Sequence, residues 1–283
     1  NWRQLKNLGE CVSLKMKPEI IQKSHGNLPF TLTHDQSKMV IAIFKDLQSK
    51  EFTHRLIQGD TGSGKTATVI FAADQCIGNG FSCAIMAPTE LLAVQHFKTF
   101  TSTALFPKQV QLITGSIKEK IRLDKPYIFI GTHSLLTNLP KKLKYPLAFV
   151  IIDEQHKFGV KQRDRLVNRT PVPHLINLSA TPIPRTVALG LLGDIKISNI
   201  IHKPLNRLPT KTFVVPPSHF KKSTDWLKQQ LDKGSQIFVV CPNIQEHGLG
   251  VASVENISKT YKKITQDKYP ISIIHGKMKP EEQ

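Results

Sequence analysis

The sequence contains few of the features that mark a secreted or membrane-bound protein. None of its apolar runs approaches the roughly 20 residues that span a bilayer. No signal peptide opens the chain, whose first residue is Asn1 rather than Met. Only 4 cysteines are present, and none forms a Cys-x-x-Cys pair or stands near histidine at zinc-ligand spacing. We expect a protein of the reducing cytoplasm, without a membrane partner, that is part of a longer polypeptide.

Negative charge is also scarce. The chain has 39 Lys and Arg against 21 Asp and Glu, which gives a net charge of +18. The positive excess is spread over residues 1–25, 26–202 and 203–283, so it is not a basic tail. A basic surface of this kind suits a protein that follows a phosphate backbone. The alternative is a soluble surface in a lysine-rich proteome.

Short apolar runs alternate with helical patterns through the first two thirds of the chain. Because the runs are continuously apolar, they predict strands buried on both faces, as in a parallel sheet covered by helices. The fold class predicted is therefore α/β with a mostly parallel sheet. A helix is predicted from Thr33, which can cap it. The six predicted strands are Arg55–Gln58, Ser82–Ala87, Val110–Thr114, Tyr127–Thr132, Ala148–Asp153 and His174–Ser179.

The 283 residues are enough for two domains. Residues 1–28 are basic with weak helical periodicity, and we interpret them as a connecting segment that docks on whatever precedes it. Residues 29–203 form the first domain, and 204–283 form at most about half of a second α/β domain. The second block is predicted to contain strands Thr212–Val215, Gln236–Cys241 and Ile271–Ile274 and helices Phe220–Leu231 and Val254–Ile264.

A glycine-rich segment follows the apolar pair Leu56-Ile57. It has the pattern G-x-x-x-x-G-K-T of a phosphate-binding loop. Backbone N–H groups of such a turn and of the next helix converge on an anion, and glycine permits the tight turn. Lys65 is predicted to reach the β- and γ-phosphates, and the Thr66 hydroxyl to bind Mg²⁺. The alternative is a glycine-rich turn with a chance Lys-Thr. The segment reads Gly59-Asp60-Thr61-Gly62-Ser63-Gly64-Lys65-Thr66.

Two carboxylates follow the apolar run Phe149–Ile152. Ligands of doubly wound sheets bind where strands end, which brings Asp153 near the phosphate loop. Asp153 is predicted to hold Mg²⁺ through its water, and Glu154 to activate the attacking water. The alternative for an isolated Asp-Glu pair is a solvated strand end.

The corners that follow other strands carry small polar residues. Pro88-Thr89, Gly115 and Thr132-His133 each offer backbone amides or hydroxyls that suit a nucleic-acid phosphate. Each corner alone is also typical of an ordinary capped turn, but three on one edge indicate a nucleic-acid track. The turn Ser179–Thr186 is predicted to sense the γ-phosphate. Its alternative is a proline-rich turn before a helix.

The order of these segments resembles that of a superfamily 2 helicase motor. The resemblance is sharper to the RecG family of branched-DNA helicases and covers residues 28–283. Relatives that couple transcription to repair carry Asp-Glu-Glu-His where this chain has Asp-Glu-Gln-His. The motifs that carry the resemblance are Leu32-Thr33-x-x-Gln36, the stretch from Asp153 to Arg163, Ser179-Ala-Thr-Pro-Ile-Pro-Arg-Thr186, Phe238-Val-Val-Cys-Pro242 and His275-Gly-Lys-Met278.

The resemblance implies a RecA-like ATP-binding domain over 29–203, the first part of a second RecA-like domain over 204–283, and ATP-driven remodelling of forks and Holliday junctions by a monomer. Lys65, Asp153 and Glu154 would hydrolyse ATP. Phe30 would pack on the adenine and Gln36 would bind its edge. The same likeness assigns DNA contacts to Pro88, Thr89, Thr132 and His133, and coupling of the two events to His156, Ser179, Thr181 and Arg185.

The chain also departs from the family. It lacks the N-terminal wedge domain and ends before the segments that supply arginine fingers, so we expect it alone to bind ATP–Mg²⁺, hydrolyse it poorly and not unwind DNA. Two alternatives stay open. One is another superfamily 2 motor, such as a transcription-repair coupling translocase. The other is a non-catalytic truncated remnant.

Overall fold

The computed structural model divides the chain into two compact units, Asn1–Arg207 and Leu208–Gln283. In the ranges described, no helix is both long enough and apolar enough to cross a membrane. The described residues are 10–116, 120–153, 166, 168–181, 195–202, 210–243, 253–266, 268–275 and 278.

A seven-stranded sheet forms the centre of the first unit, and every pairing of neighbouring strands in it is parallel. Across the sheet the order is β3-β4-β2-β5-β6-β1-β7. Because parallel neighbours need crossover connections, helices stand between β1 and β2, between β2 and β3, and between β4 and β5. In chain order the strands are β1 (His54–Gly59), β2 (Ser82–Met86), β3 (Val110–Ile113), β4 (Ile128–Gly131), β5 (Leu147–Asp153), β6 (His174–Ser179) and β7 (Lys196–Ile200).

The predicted α/β class with a mostly parallel sheet is confirmed. The six apolar runs correspond to β1–β6, and no strand end differs from its prediction by more than one residue. The seventh strand, β7, was not predicted. Its sequence Lys-Ile-Ser-Asn-Ile contains no continuous apolar run. The strand lies at the edge of the sheet and, among the described strands, pairs only with β1, so it need not be buried on both faces.

Side-chain caps begin two of the helices in the first unit, at Thr33 and at Thr89. Thr33 caps its helix as predicted: its hydroxyl oxygen accepts the Gln36 N–H, and the Gln36 side-chain oxygen accepts the Thr33 N–H. Such a cap stabilises a helix by about 1 kcal/mol. The helices named among the described residues of this unit are α1 (Pro18–Asn27), α2 (His34–Leu47), α3 (Lys65–Gly78), α4 (Glu90–Thr103) and the short α5 (Ser134–Asn138).

Strand β5 contributes to the hydrophobic core on both faces of the sheet. Phe149 and Ile151 pack in one cluster, whereas Val150 and Ile152 pack in the other. Alternate side chains of a strand point to opposite faces, so a strand buried on both must be apolar throughout. Burial of each such side chain contributes roughly 1.5–3 kcal/mol. The strand is thereby fixed in the middle of the sheet and carries Asp153 to its edge.

The segment before the first domain packs on helix α3. Lys17 and Gln75 form two hydrogen bonds of 2.9 Å, in which each residue donates once to the other. Leu14 is buried, and the Ser24 hydroxyl donates to the Asp74 carboxylate at 2.7 Å. We predicted residues 1–28 as a connecting segment that docks on what precedes it. Its described part, which includes helix α1, packs within the first compact unit. Docking on whatever precedes the chain stays a prediction, and Leu5 and Leu8 of the weak periodicity lie outside the described residues.

Among its described residues the second unit has two helices, α6 (Phe220–Asp232) and α7 (Val254–Thr265), which confirm the two helices predicted there. The three strands predicted in this block were wrong: none of the segments Thr212–Val215, Gln236–Cys241 and Ile271–Ile274 is a strand among the described residues. A strand needs a neighbour for its N–H and C=O groups, and an apolar pattern does not supply one. Side chains in the first two of these segments, such as Val214 and Val240, are exposed.

The buried carboxylate of Asp74 predicts a pH dependence of stability. Burial raises the pKa of Asp74 to about 6, although bonds from Ser24 and the Leu105 N–H oppose the shift. Between about pH 4 and 6 the folded unit therefore binds more protons than the unfolded chain, so its stability falls as pH rises through this window. We expect Asp74→Asn to remove roughly 2–3 kcal/mol of that fall, measured by urea unfolding at pH 4.5, 5.5 and 7.

Glu51→Gln is the matched control, because Glu51 is exposed. This variant should keep the pH slope of the parent chain. An unchanged slope in Asp74→Asn would show that Asp74 ionises normally in the folded unit.

Candidate nucleotide-binding site

The glycine-rich segment 59–66 connects β1 to α3, and its glycines have conformations or contacts that side chains would not permit. Gly62 and Gly64 have positive φ angles of 77° and 84°. A Cβ on Gly64 would lie 2.2 Å from the Gln36 amide nitrogen, and one on Gly59 would lie 2.6 Å from the Ser63 hydroxyl. Gly64 is the N-cap of α3 and provides no side-chain cap for the first-turn N–H groups. Such a helix start favours an anion.

Two side chains of the loop fit a phosphate. The Lys65 ammonium lies over the loop, 2.5 Å from the Gly59 carbonyl oxygen and 3.1 Å from that of Asp60. The Ser63 hydroxyl is buried and has no hydrogen-bond partner among the described residues. A buried hydroxyl without a partner costs about 1–3 kcal/mol. A cation, an unsatisfied hydroxyl and open helix amides are together the donor set that phosphate oxygens need.

The donor set for Mg²⁺ is consistent with the prediction for Thr66 and Asp153. Thr66 lies in the first turn of α3, and Asp153 is the last residue of β5. Among the described residues, no three His, Cys, Asp or Glu side chains cluster as a metal site. Mg²⁺ commonly binds one or two protein groups and takes its other ligands from phosphate and water, so Thr66 and Asp153 stay its predicted ligands.

Gln36 joins helix α2 to the phosphate loop. Its amide nitrogen donates to the Ser63 carbonyl oxygen at 2.8 Å, while its oxygen completes the cap at Thr33. The residue is 1% exposed, so its contact with an adenine edge stays a prediction. Phe30, the other predicted adenine contact, is 49% exposed in the turn before α2.

The sheet register brings the predicted residues to one edge. Asp153 pairs with Leu178, and Leu178 pairs with Ile57, so Asp153 lies two strands away from the start of the phosphate loop. Two strand spacings are about 10 Å. Ser179 ends β6 between them and pairs with Gln58. A triphosphate with its metal can bridge a gap of this size.

The Asp153 carboxylate has a partner that was not predicted. His96 of α4 lies with its Nε2 2.8 Å from Asp153 Oδ2, and both side chains are mostly buried. The two residues are separated by 57 positions, so no local pattern connects them. The sheet brings them together because β2, which precedes α4, pairs directly with β5.

The predicted coupling residues are described only in part. The Ser179 hydroxyl lies 3.0 Å from the Thr181 carbonyl oxygen and 3.1 Å from its hydroxyl, which closes a tight turn after β6. Glu154, His156 and Arg185 lie outside the described residues.

The predicted nucleic-acid corners follow β2, β3 and β4 at the same edge. Thr89 is exposed and caps α4 by accepting the Leu92 N–H. Pro88 is half-buried beside it. His133 is exposed, whereas Thr132 is 8% exposed, with its hydroxyl 3.5 Å from that of Ser134.

Glu90, which the sequence did not indicate, joins two of these corners. One oxygen of its carboxylate accepts the Gly115 N–H at 2.9 Å and the Ser116 N–H at 3.2 Å. The other accepts the Ser116 hydroxyl at 2.8 Å. The Gly115 amide that was predicted to face a nucleic-acid phosphate therefore donates to a carboxylate.

Comparison with known proteins agrees with this geometry. The family model described as DEAD/DEAH box helicase matches residues 33–189. The ATP-dependent DNA helicase RecG of Treponema pallidum is 37% identical to this chain over 282 residues, and the alignment covers 93% of this chain. RecG of Synechocystis sp. is 34% identical over 277 residues, with 94% of this chain covered.

A solved structure of RecG bound to a three-way DNA junction aligns with a TM-score of 0.73 and 28% identity over 94% of this chain. The chain spans 40% of the Treponema protein, 33% of the Synechocystis protein and 35% of the chain in that structure. The family model alone covers more than half of the 283 residues. The chain belongs to the DEAD/DEAH box helicase family, and the resemblance to RecG predicted from its motifs is confirmed.

Proposed function

We propose that this chain is the ATP-binding motor region of a RecG-type DNA helicase. One observation supports this proposal: the phosphate loop and the Asp153 carboxylate lie at the same edge of the sheet. The loop also contains a buried hydroxyl that has no hydrogen-bond partner among the described residues. The chain belongs to a helicase family, and helicases of this kind use nucleotide hydrolysis to move on nucleic acid. We therefore infer that the phosphate loop and Asp153 take part in ATP hydrolysis.

The residues of the loop would bind the nucleotide through its phosphates. The first-turn N–H groups of α3 and the Lys65 ammonium would hold the β- and γ-phosphate oxygens. Thr66 and Asp153 would hold Mg²⁺, which neutralises part of the negative charge of the phosphates when it is bound. Glu154 is predicted to orient the attacking water. Phe30 and Gln36 are predicted to contact the adenine.

DNA is the proposed partner of the same edge. The relatives are named DNA helicases, and the solved RecG structure holds a three-way junction. A net charge of +18 favours a polyanion. We infer branched DNA as the substrate, with Pro88, Thr89, Thr132 and His133 as contacts. The monomeric state and the cytoplasmic location stay predictions.

Competition binding separates this proposal from other motors. A labelled fork should be displaced more effectively by unlabelled fork or Holliday-junction DNA than by linear duplex or RNA. Preference for RNA would instead favour an RNA helicase, and equal competition by linear duplex would favour a translocase of the transcription-repair type.

Nucleotide binding tests the role of Lys65. A charge-assisted hydrogen bond contributes about 1.5–3 kcal/mol, so Lys65→Ala should weaken the affinity for a fluorescent ATP analogue with Mg²⁺ by roughly tenfold to a hundredfold. Lys38→Ala removes an exposed lysine of α2 and should have no effect. Equal dissociation constants for the parent chain and Lys65→Ala would exclude the phosphate role.

The hydrogen bonds of Glu90 should protect the Gly115 and Ser116 N–H groups from exchange with solvent. Removal of its carboxylate in Glu90→Ala leaves the Gly115 and Ser116 N–H groups without their acceptor, and their hydrogen exchange should accelerate by roughly tenfold. Exchange is measured by NMR in the parent chain and the variant. Glu19→Ala removes an exposed first-turn carboxylate from α1 and should leave both amides unchanged. Equal exchange at Gly115 in Glu90→Ala and the parent chain would contradict the bond.

A further inference from the structure

The imidazole of His96 holds one of the two oxygens of the carboxylate that is predicted to bind the metal. Its Nε2 lies 2.8 Å from Asp153 Oδ2, within hydrogen-bond distance. Among the described residues, no other side chain is bonded to Asp153. The two side chains are 11% and 14% exposed, so little water competes for the bond.

A single bond of this kind determines the orientation of the carboxylate. Rotation about the Asp Cβ–Cγ bond is soft, so a carboxylate at a strand end has no fixed plane of its own. A donor on Oδ2 fixes that plane and leaves Oδ1 for a metal or its bound water. Partners outside the ligand set commonly change metal affinity by 10–100-fold.

Helix α4 holds His96 in place from both sides. Ala93 and Phe100, one turn before it and one turn after it, are fully buried. The helix starts at the Thr89 corner, where Glu90 binds the loop at Gly115 and Ser116. His96 thus belongs to a helix that is packed into the core and begins at the edge predicted to meet DNA.

We propose that His96 is a positioning residue for the metal of the bound nucleotide: it orients the Asp153 carboxylate so that one oxygen faces Mg²⁺. This inference rests on the proposed ATP–Mg²⁺ site. A histidine that only fills the core would contribute to stability, but the affinity for nucleotide would then have the same dependence on Mg²⁺ without it.

The experiment measures the affinity for a fluorescent ATP analogue across a Mg²⁺ titration and in EDTA. His96→Leu replaces the imidazole with an apolar side chain of similar bulk and so removes the N–H donor, and His96→Met is a second donor-free variant if the first does not fold. His96→Gln retains an N–H donor. Gln95→Ala, at the exposed neighbouring position, is the matched control.

The donor-free variants should need about tenfold more Mg²⁺ for half-maximal tightening of nucleotide binding. Their affinity in EDTA should stay within about twofold of the parent chain, since phosphate contacts of the loop are intact. His96→Gln should recover most of the Mg²⁺ response, and Gln95→Ala should match the parent chain.

Three results would overturn the inference: an unchanged Mg²⁺ midpoint in the donor-free variants, an equal loss of affinity in EDTA, or no recovery by His96→Gln. Each leaves the proposed nucleotide site standing, because the parent chain would still bind nucleotide with Mg²⁺. Absence of Mg²⁺-dependent binding by the parent chain would instead refute the proposed function, and this inference with it.

Discussion

The common direction of the seven strands is the constraint on which the rest of the first unit depends. Parallel pairing makes every strand end at the same edge, so residues far apart in the chain meet there. Gly59, Asp153 and Ser179 reach that edge from β1, β5 and β6. Burial on both faces fixes β5 in register, and its carboxylate therefore has a defined height relative to the phosphate loop.

Polar contacts then refine what the sheet determines only coarsely. Gln36 ties α2 to the loop, His96 ties α4 to Asp153, and Glu90 ties the start of α4 to the corner after β3. Each contact joins two elements whose relative position the apolar core alone would leave adjustable. Helix α4 takes part in two of the three, which makes it the element shared by the nucleotide edge and the predicted DNA corners.

Most of this unit could be predicted from the sequence because its signals are local. Burial on both faces requires continuous apolar runs, and these located β1–β6 closely. Short segments likewise contain the other signals, which are the pattern G-x-x-x-x-G-K-T, the cap at Thr33 and the motifs of the family resemblance. Strand β7 was missed because an edge strand does not require an apolar run.

What could not be predicted depends on partners distant in the chain. The contacts of His96 and Glu90 span 57 and 26 positions, and nothing in the local sequence indicates them. In the second unit three apolar segments predicted strands, but a strand needs a neighbouring strand to pair with, and none of the three is a strand among the described residues. The role of Glu154 rests on its place after a buried strand, and those of His156 and Arg185 rest on the family resemblance.

Because residues 10–27 pack on α3, a shortened chain that contains this unit should keep them. A fragment that starts at residue 29, the boundary suggested by sequence, would lose the Lys17–Gln75 pair and uncover Asp74. Helix α3 begins at the phosphate loop, so the damage would lie on the helix that supports the nucleotide. The expression boundary for the nucleotide-binding module should therefore lie before Cys11, whose N–H donates to the Lys50 carbonyl oxygen.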